Sequence, residues 1–255
     1  MVSPQMPKAD DQEERAALQK LMTLLLRHTV VLVRTDAPGR GSGFVIPWNG
    51  GVRIVTARHV IEKGEWAVEA LDSSRGTDAP PLTGRDVWNI PLADRETLRL
   101  RLRPDPASLN AVKDDIAWAW FDVDRDALAA DPKAQSWSVP QYSGPLDAVA
   151  TDGEVYAFAA ANRDEVHDVA RAVVREVSWE AYMTLTALDA NGLIFWLARD
   201  HQGHAFYRGA SGAPVADRTG TIVGVLVGPG NGANELRAAS LERFIRAMRQ
   251  IEARS

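Results

Sequence analysis

A serine hydroxyl becomes a nucleophile only with a base in hydrogen-bond reach and a third group that orients the base. Three stretches of the 255-residue chain carry those residue types. Tyr207-Arg-Gly-Ala-Ser-Gly-Ala-Pro214 sets Ser211 between Gly209 and Gly212, with Pro214 just beyond. Flanking glycines let a backbone turn sharply and present its N–H groups. Arg53-Ile-Val-Thr-Ala-Arg-His59 brings a histidine to the end of a β-branched run, and Asp115-Ile-Ala-Trp-Ala-Trp-Phe opens another run with an aspartate. The chemistry of such a set is acyl transfer. Taken singly, each has a plainer reading: His59 as a strand-end histidine, Asp115 as a strand-capping carboxylate, the serine as a loop residue. Asp114 rivals Asp115, and Ser42, also flanked by glycines, reads as strand architecture.

The order His…Asp…Ser is one of three in which this triad recurs. An α/β-hydrolase requires Gly-x-Ser-x-Gly between strand and helix, with both partners downstream. Here Ala213 replaces the last glycine and both partners lie upstream. The His-Glu-x-x-His helix of a metalloprotease is absent from the sequence. His201 and His204 form a His-x-x-His pair with no evident third ligand, so they read as loop histidines and no metal is expected.

Composition narrows the class. With 45% hydrophobic and 25% charged residues the chain is ordinary globular material. A net charge of -5 argues against a nucleic-acid binder. There is no cysteine, which excludes disulfides and thiol chemistry and fits a cytoplasmic location. Residues 1–11 have no apolar core of a secretory signal. No stretch nears the roughly 20 apolar residues of a membrane span.

The elements that must position these residues read as short strands. The expected set is 29–34, 42–46, 53–60 ending at His59, 65–71, 97–102 and 115–123, then 154–160, 168–177, 182–188, 193–197 and 221–227. Asn49-Gly50 supplies the positive φ of a hairpin turn. Residues 72–84 read as a surface loop. Leu18, Leu21, Met22 and Leu25 mark a helix over 11–27. Leu241, Phe244, Ile245, Met248 and Ile251 mark another, with Ser240 as N-cap. The expected organisation is a tail and helix (1–28), a first lobe (29–123), a linker (124–151), a second lobe (152–238) and a terminal helix (239–255). The first helix is expected to pack on the barrel, the alternative being a docking helix for a partner protein. Trp118 and Trp120 share one strand face and are expected to be buried.

Gly41-Ser-Gly-Phe44, Val55-Thr-Ala-Arg-His59-Val60, Asp115-Ile-Ala117 and Gly209-Ala-Ser-Gly-Ala-Pro214 together resemble the trypsin/chymotrypsin-like serine peptidases, especially the bacterial, disulfide-free HtrA-like protease domain. The resemblance implies an all-β fold of two six-stranded antiparallel β-barrels, with N- and C-terminal helices. It implies a serine endopeptidase with His59 as general base, Asp115 as its orienter, Ser211 as nucleophile, and the Gly209 and Ser211 N–H groups as oxyanion hole. It selects Asp115 over Asp114 because Asp115 directly precedes Ile-Ala. No cofactor is implied, the partner is a polypeptide substrate, and no PDZ module is expected after residue 255. Ala205, Val227, Gly228 and Pro229 would line the substrate pocket. None is acidic, which disfavours Lys or Arg and favours a small or medium apolar residue; His201 and His204 would instead favour an acidic one. Two departures stand out. Ala210 precedes the serine where zymogen-activated members carry an aspartate, so activation through that ion pair is not available. Arg58 precedes the histidine where a small residue is usual, and on a strand it would point away from the site. The alternative reading is a catalytically silent or partner-activated module acting by protein binding.

Overall fold

The computed structural model describes residues 12–70, 87–91, 98–121, 141–167, 172–200, 203 and 206–254. Helix α1 (Gln12–His28) leads into strands β1 (Thr29–Arg34), β2 (Arg40–Trp48) and β3 (Gly51–Thr56). Its acidic residues Glu13 and Glu14 lie in the first turn and Arg27 in the last, matching the helix dipole. Asn49 and Gly50 both take positive φ, 45° and 75°, in the tight turn between β2 and β3. A helical turn, α2 (Arg58–Ile61), precedes β4 (Trp66–Ala70), β5 (Val87–Pro91), β6 (Leu98–Pro104) and β7 (Ala117–Phe121). The first barrel closes in the order β1-β2-β3-β7-β6-β4.

The second barrel comprises β8 (Val155–His167), β9 (Ala172–Asp189), β10 (Gly192–Trp196), β11 (Pro214–Asp217), β12 (Ile222–Pro229) and β13 (Glu235–Ser240). Its order is β10-β13-β12-β11-β8-β9, and the β9–β10 pairing closes it. All strand pairs of both barrels are antiparallel. This is the expected pair of six-stranded barrels. Helix α3 (Leu241–Glu252) follows directly, with Ser240 Oγ accepting the Arg243 N–H at 3.3 Å as its N-cap.

Several boundaries differ from expectation. The third strand ends at Thr56, so His59 stands on α2. The stretches expected as 168–177 and 182–188 join in the single strand β9, bent by register shifts opposite β8. Tyr182 there takes φ 60°, a local kink that breaks the alternation without ending the strand. Strand β13 was not expected. Nor was β5, which pairs with β9 and so joins a first-half segment to the second sheet. The expected 72–84 loop, most of the 124–151 linker, His201, His204 and Ala205 lie outside the described residues.

One apolar core runs through the first barrel and into both helices. Met22 and Leu25 of α1 are fully buried, as are Phe244 and Ile245 of α3. Thr29 Oγ1 ties the end of α1 to the second barrel, donating to Leu25 O at 2.8 Å and sharing with Ala159 O at 3.0 Å. The predicted apolar face of α1 is therefore spent on the barrel. Trp118 is fully buried and donates its indole N–H to Asp105 at 2.7 Å, whereas Trp120 is half-buried beneath Arg53. Among the described residues no helix is long and apolar enough to cross a membrane.

Met22→Ala removes a side chain with no exposed surface. It should cost about 2–4 kcal/mol, read as a lower urea midpoint at unchanged slope. A wild-type midpoint would show that α1 is not part of the cooperative core.

Candidate active site

Strands β3 and β7 are antiparallel neighbours, with Thr56 opposite Ala117. Their ends therefore deliver α2 and the segment before β7 to one place. There the Asp115 carboxylate meets His59 twice. Oδ1 accepts the His59 backbone N–H at 2.9 Å, and Oδ2 lies 2.5 Å from Nδ1. An ionised carboxylate can only accept, so Nδ1 carries a hydrogen, and in the neutral ring Nε2 is then the nitrogen with the free lone pair. Burial acts to raise the Asp115 pKa. The His59 ring, its backbone N–H and nearby Arg58 outweigh that and hold it below the ordinary carboxylate value. The histidine side chain is 47% exposed and so open to a reactant.

Arg58 does not point away. Because it stands on a helical turn, its Nε lies 3.9 Å from Asp115 Oδ1 while its Nη1 donates to Leu109 O at 3.1 Å. It adds positive charge beside the carboxylate, a placement hidden by the strand reading. Asp114 faces the opposite way. Its buried Oδ2 accepts the Ser240 N–H at 3.0 Å, and Oδ1 lies 3.8 Å from Arg243. Adjacent aspartates thus serve different elements, Asp115 the histidine and Asp114 the start of α3.

Ser211 sits on the turn leading into β11. Its carbonyl accepts the Ser42 N–H at 2.8 Å, and Ser42 Oγ donates to Gly209 O at 2.8 Å. Ser42, fully buried, is thus a cross-barrel clamp on the serine turn. Thr56 Oγ1 in turn donates to Ser42 O at 2.6 Å. Gly212, at φ 95°, packs so closely that a Cβ there would overlap the Ser42 carbonyl and Thr56 Oγ1. The Gly209 N–H and Ser211 N–H donate to no backbone carbonyl among the described residues.

The Ser211 hydroxyl donates to Val227 O at 3.0 Å, and no hydrogen bond joins it to His59 among the described residues. Val227, Gly228 and Pro229 form the end of β12, past its last backbone-to-backbone bond with the serine turn, Gly212 N–H to Leu226 O at 2.7 Å. There β12 pairs with β13 on one side. Among the described residues its other side, toward Ser211, pairs with no strand and holds only the Ser211 hydroxyl, at Val227 O. Ala205, His201 and His204 cannot be placed with it because they lie outside the described residues.

A profile of the trypsin-like peptidase domain matches residues 41–225. A search of curated protein sequences finds no significant match. In structure the chain is similar to Deg5, at 16% identity and TM-score 0.56, covering 94% of this chain and 95% of that one. It is also similar to the inactive form of the Rv3671c protease of M. tuberculosis H37Rv, in a mutant, at 13% identity and TM-score 0.53, covering 99% and 98%. The HtrA-type protease AlgW, with a tripeptide, matches at 13% identity and TM-score 0.51, covering 93% of this chain and 63% of that one.

The two aspartates make opposite contributions to stability with pH. Asp115 has a depressed pKa, so its contribution is full above the ordinary value and lost as pH falls through the lowered one. Burial raises the pKa of Asp114 above 3.8, so the folded state holds that proton more tightly and its contribution falls as pH rises from there. Asn at 114 still offers an oxygen to the Ser240 N–H. Asp114→Asn should therefore keep a neutral-pH urea midpoint at or above wild type. A lower midpoint would mean that the ionised carboxylate stabilises α3 beyond its desolvation cost.

Proposed function

The chain belongs to the trypsin-like peptidase family, and from that premise we propose that it is a serine endopeptidase acting through Ser211, His59 and Asp115. The observation that carries this reading is the double engagement of His59 by Asp115, which selects the Nδ1–H tautomer and so makes Nε2 the basic nitrogen of the neutral ring. In this scheme Nε2 takes the Ser211 proton as the hydroxyl oxygen attacks a peptide carbonyl. The charged imidazolium is stabilised by Asp115, and the carbonyl oxygen takes up negative charge at the Gly209 and Ser211 N–H groups. His59 then returns the proton to the leaving amine, giving an acyl-enzyme. Water enters by the same base, and the acid product and free Ser211 result.

The β12 edge, which pairs with no strand among the described residues, supports a polypeptide substrate. An extended chain can add to such an edge through main-chain hydrogen bonds, with Val227, Gly228 and Pro229 as its floor. A substrate N–H donated to Val227 O would compete for the acceptor now held by the Ser211 hydroxyl, turning that hydroxyl toward His59. Pro229 has no N–H to offer, so pairing there is by its carbonyl alone. The same Ser211–Val227 bond favours a second reading, a module that stays silent until a peptide or partner arrives.

Fluorophosphonate labelling followed by intact mass tests both. Wild type should gain one adduct, Ser211→Ala none, and His59→Ala far less. Asp115→Asn should lower peptide turnover by about 10⁴ through loss of the correct tautomer. A folded wild type that stays unlabelled alone but reacts when a peptide is added supports the second reading. No labelling in either condition overturns catalysis.

A further inference from the structure

Ala210 has no group to tether the turn in which it stands, so its geometry must be set from elsewhere. That turn is defined. The Ala210 N–H donates to Tyr207 O at 3.0 Å, Gly209 has φ 85°, and Arg208 is not among the positive-φ residues. An i to i+3 hydrogen bond with positive φ only at the third residue is a type II turn. Types I and II differ chiefly by a flip of the central peptide, here Arg208–Gly209. The turn type therefore decides which way the Gly209 N–H points.

The first residue of the turn is held by a buried acid. Tyr207 Oη donates to Glu180 Oε1 at 2.5 Å. Glu180, in the middle of β9, has a side chain only 3% exposed. Arg199 grips the same carboxylate with both arms, Nε to Oε2 at 3.0 Å and Nη2 to Oε1 at 3.1 Å. The guanidinium lies 5.7 Å from the Trp179 ring centroid. The Tyr207 ring meets Phe206 edge-on at 4.9 Å and Phe158 at 6.1 Å. A buried carboxylate is costly unless paired and hydrogen-bonded, and a bidentate arginine is the fixed geometry that meets that need.

We propose that Glu180, braced by Arg199, is a positioning residue that holds Tyr207 and through it the type II turn presenting the Gly209 and Ser211 N–H groups. The proposal deepens the peptidase reading and rests on it for its catalytic consequence. The turn is then fixed at both ends: Glu180 of β9 holds Tyr207, and Ser42 of β2 holds the Gly209 carbonyl. Neither contact touches the reacting atoms.

The test uses Tyr207→Phe, which keeps the ring and deletes the hydroxyl, and Glu180→Gln, whose amide oxygen still accepts from Tyr207. Fluorophosphonate labelling of Ser211 should slow about tenfold or more in Tyr207→Phe, since a misaimed donor is felt in the transition state. Peptide binding to the Ser211→Ala form should stay within about twofold of its value with Tyr207 intact, because ground-state pairing on β12 is untouched. Glu180→Gln should fall between Tyr207→Phe and wild type in labelling. Independently of catalysis, the ¹⁵N amide signals of Gly209 and Ala210, followed in Ser211→Ala, should shift or broaden when Tyr207→Phe is added. Unmoved amide signals overturn the positioning role, as does wild-type labelling in a folded Tyr207→Phe. A wild type that resists the probe counts against the peptidase reading alone, and the amide signals still decide whether Glu180 and Tyr207 set the turn.

Discussion

The seam between the barrels depends on the backbone and hydroxyl of Ser42. It lies in β2 of the first barrel, yet binds the Ser211 carbonyl and the Gly209 carbonyl of the second. Thr56 Oγ1 satisfies the carbonyl of Ser42, and Gly212 leaves room for the approach. Every polar group in this seam is buried or nearly so, and a buried polar group left unpaired is expensive. The bonds therefore act as a set, and even a Cβ at 212 would displace the Ser42 carbonyl. The glycine at 212 is the sequence consequence of two backbones meeting this closely.

Three acids near the site illustrate how surroundings divide one chemistry into separate tasks. Asp115 is partly exposed, is drawn down by His59 and Arg58, and stays charged beside the ring. Asp114, its neighbour, is buried with one backbone N–H and a distant arginine, and burial pushes its pKa up. Glu180 is as buried as Asp114 but has a bidentate guanidinium and a phenol. Of the three, only Asp115 faces a histidine. The other two spend their charge on holding α3 and the serine turn.

Much of this was legible because it is written in short range. The β-branched runs, the Asn49-Gly50 turn, the apolar faces of α1 and α3 and the Ser240 cap are local patterns, whereas the closure of the strands into two barrels came from the family resemblance of the motifs. The groups around Ser211, His59 and Asp115 were legible as motifs. What escaped is long range. Glu180 meets Arg199 and Tyr207 across 19 and 27 residues, and no local pattern announces that pairing. It also fell between two expected strands, because the kink at Tyr182 disguises one continuous β9 as two. The handover from β3 to α2 after Thr56 hid the true direction of Arg58. A β-branched run continuing to Val60 and Ile61 looks like strand, but those two side chains are buried from a helical turn. The Ser42 role needed the opposite barrel to be visible. Its glycine flanks were the available signal, read as architecture when they also mark a close approach.

The site is assembled in two parts with different dependence on the whole. His59 and Asp115 hang from adjacent strands of one sheet, and their contact needs only the β3–β7 register. Asp105 and Ser108 reinforce it by fixing Trp118 in β7, three residues past Asp115. Ser211 belongs to the other barrel and is tied to the first by the Ser42 bonds. A loosening of barrel packing would therefore leave the His59–Asp115 contact intact and move Ser211. Misplacement by about 1 Å can cost roughly 10² in rate without breaking any bond within either part. In a protein built this way the seam and the Tyr207–Ala210 turn, rather than the His59–Asp115 contact, set the tolerance of the site to change.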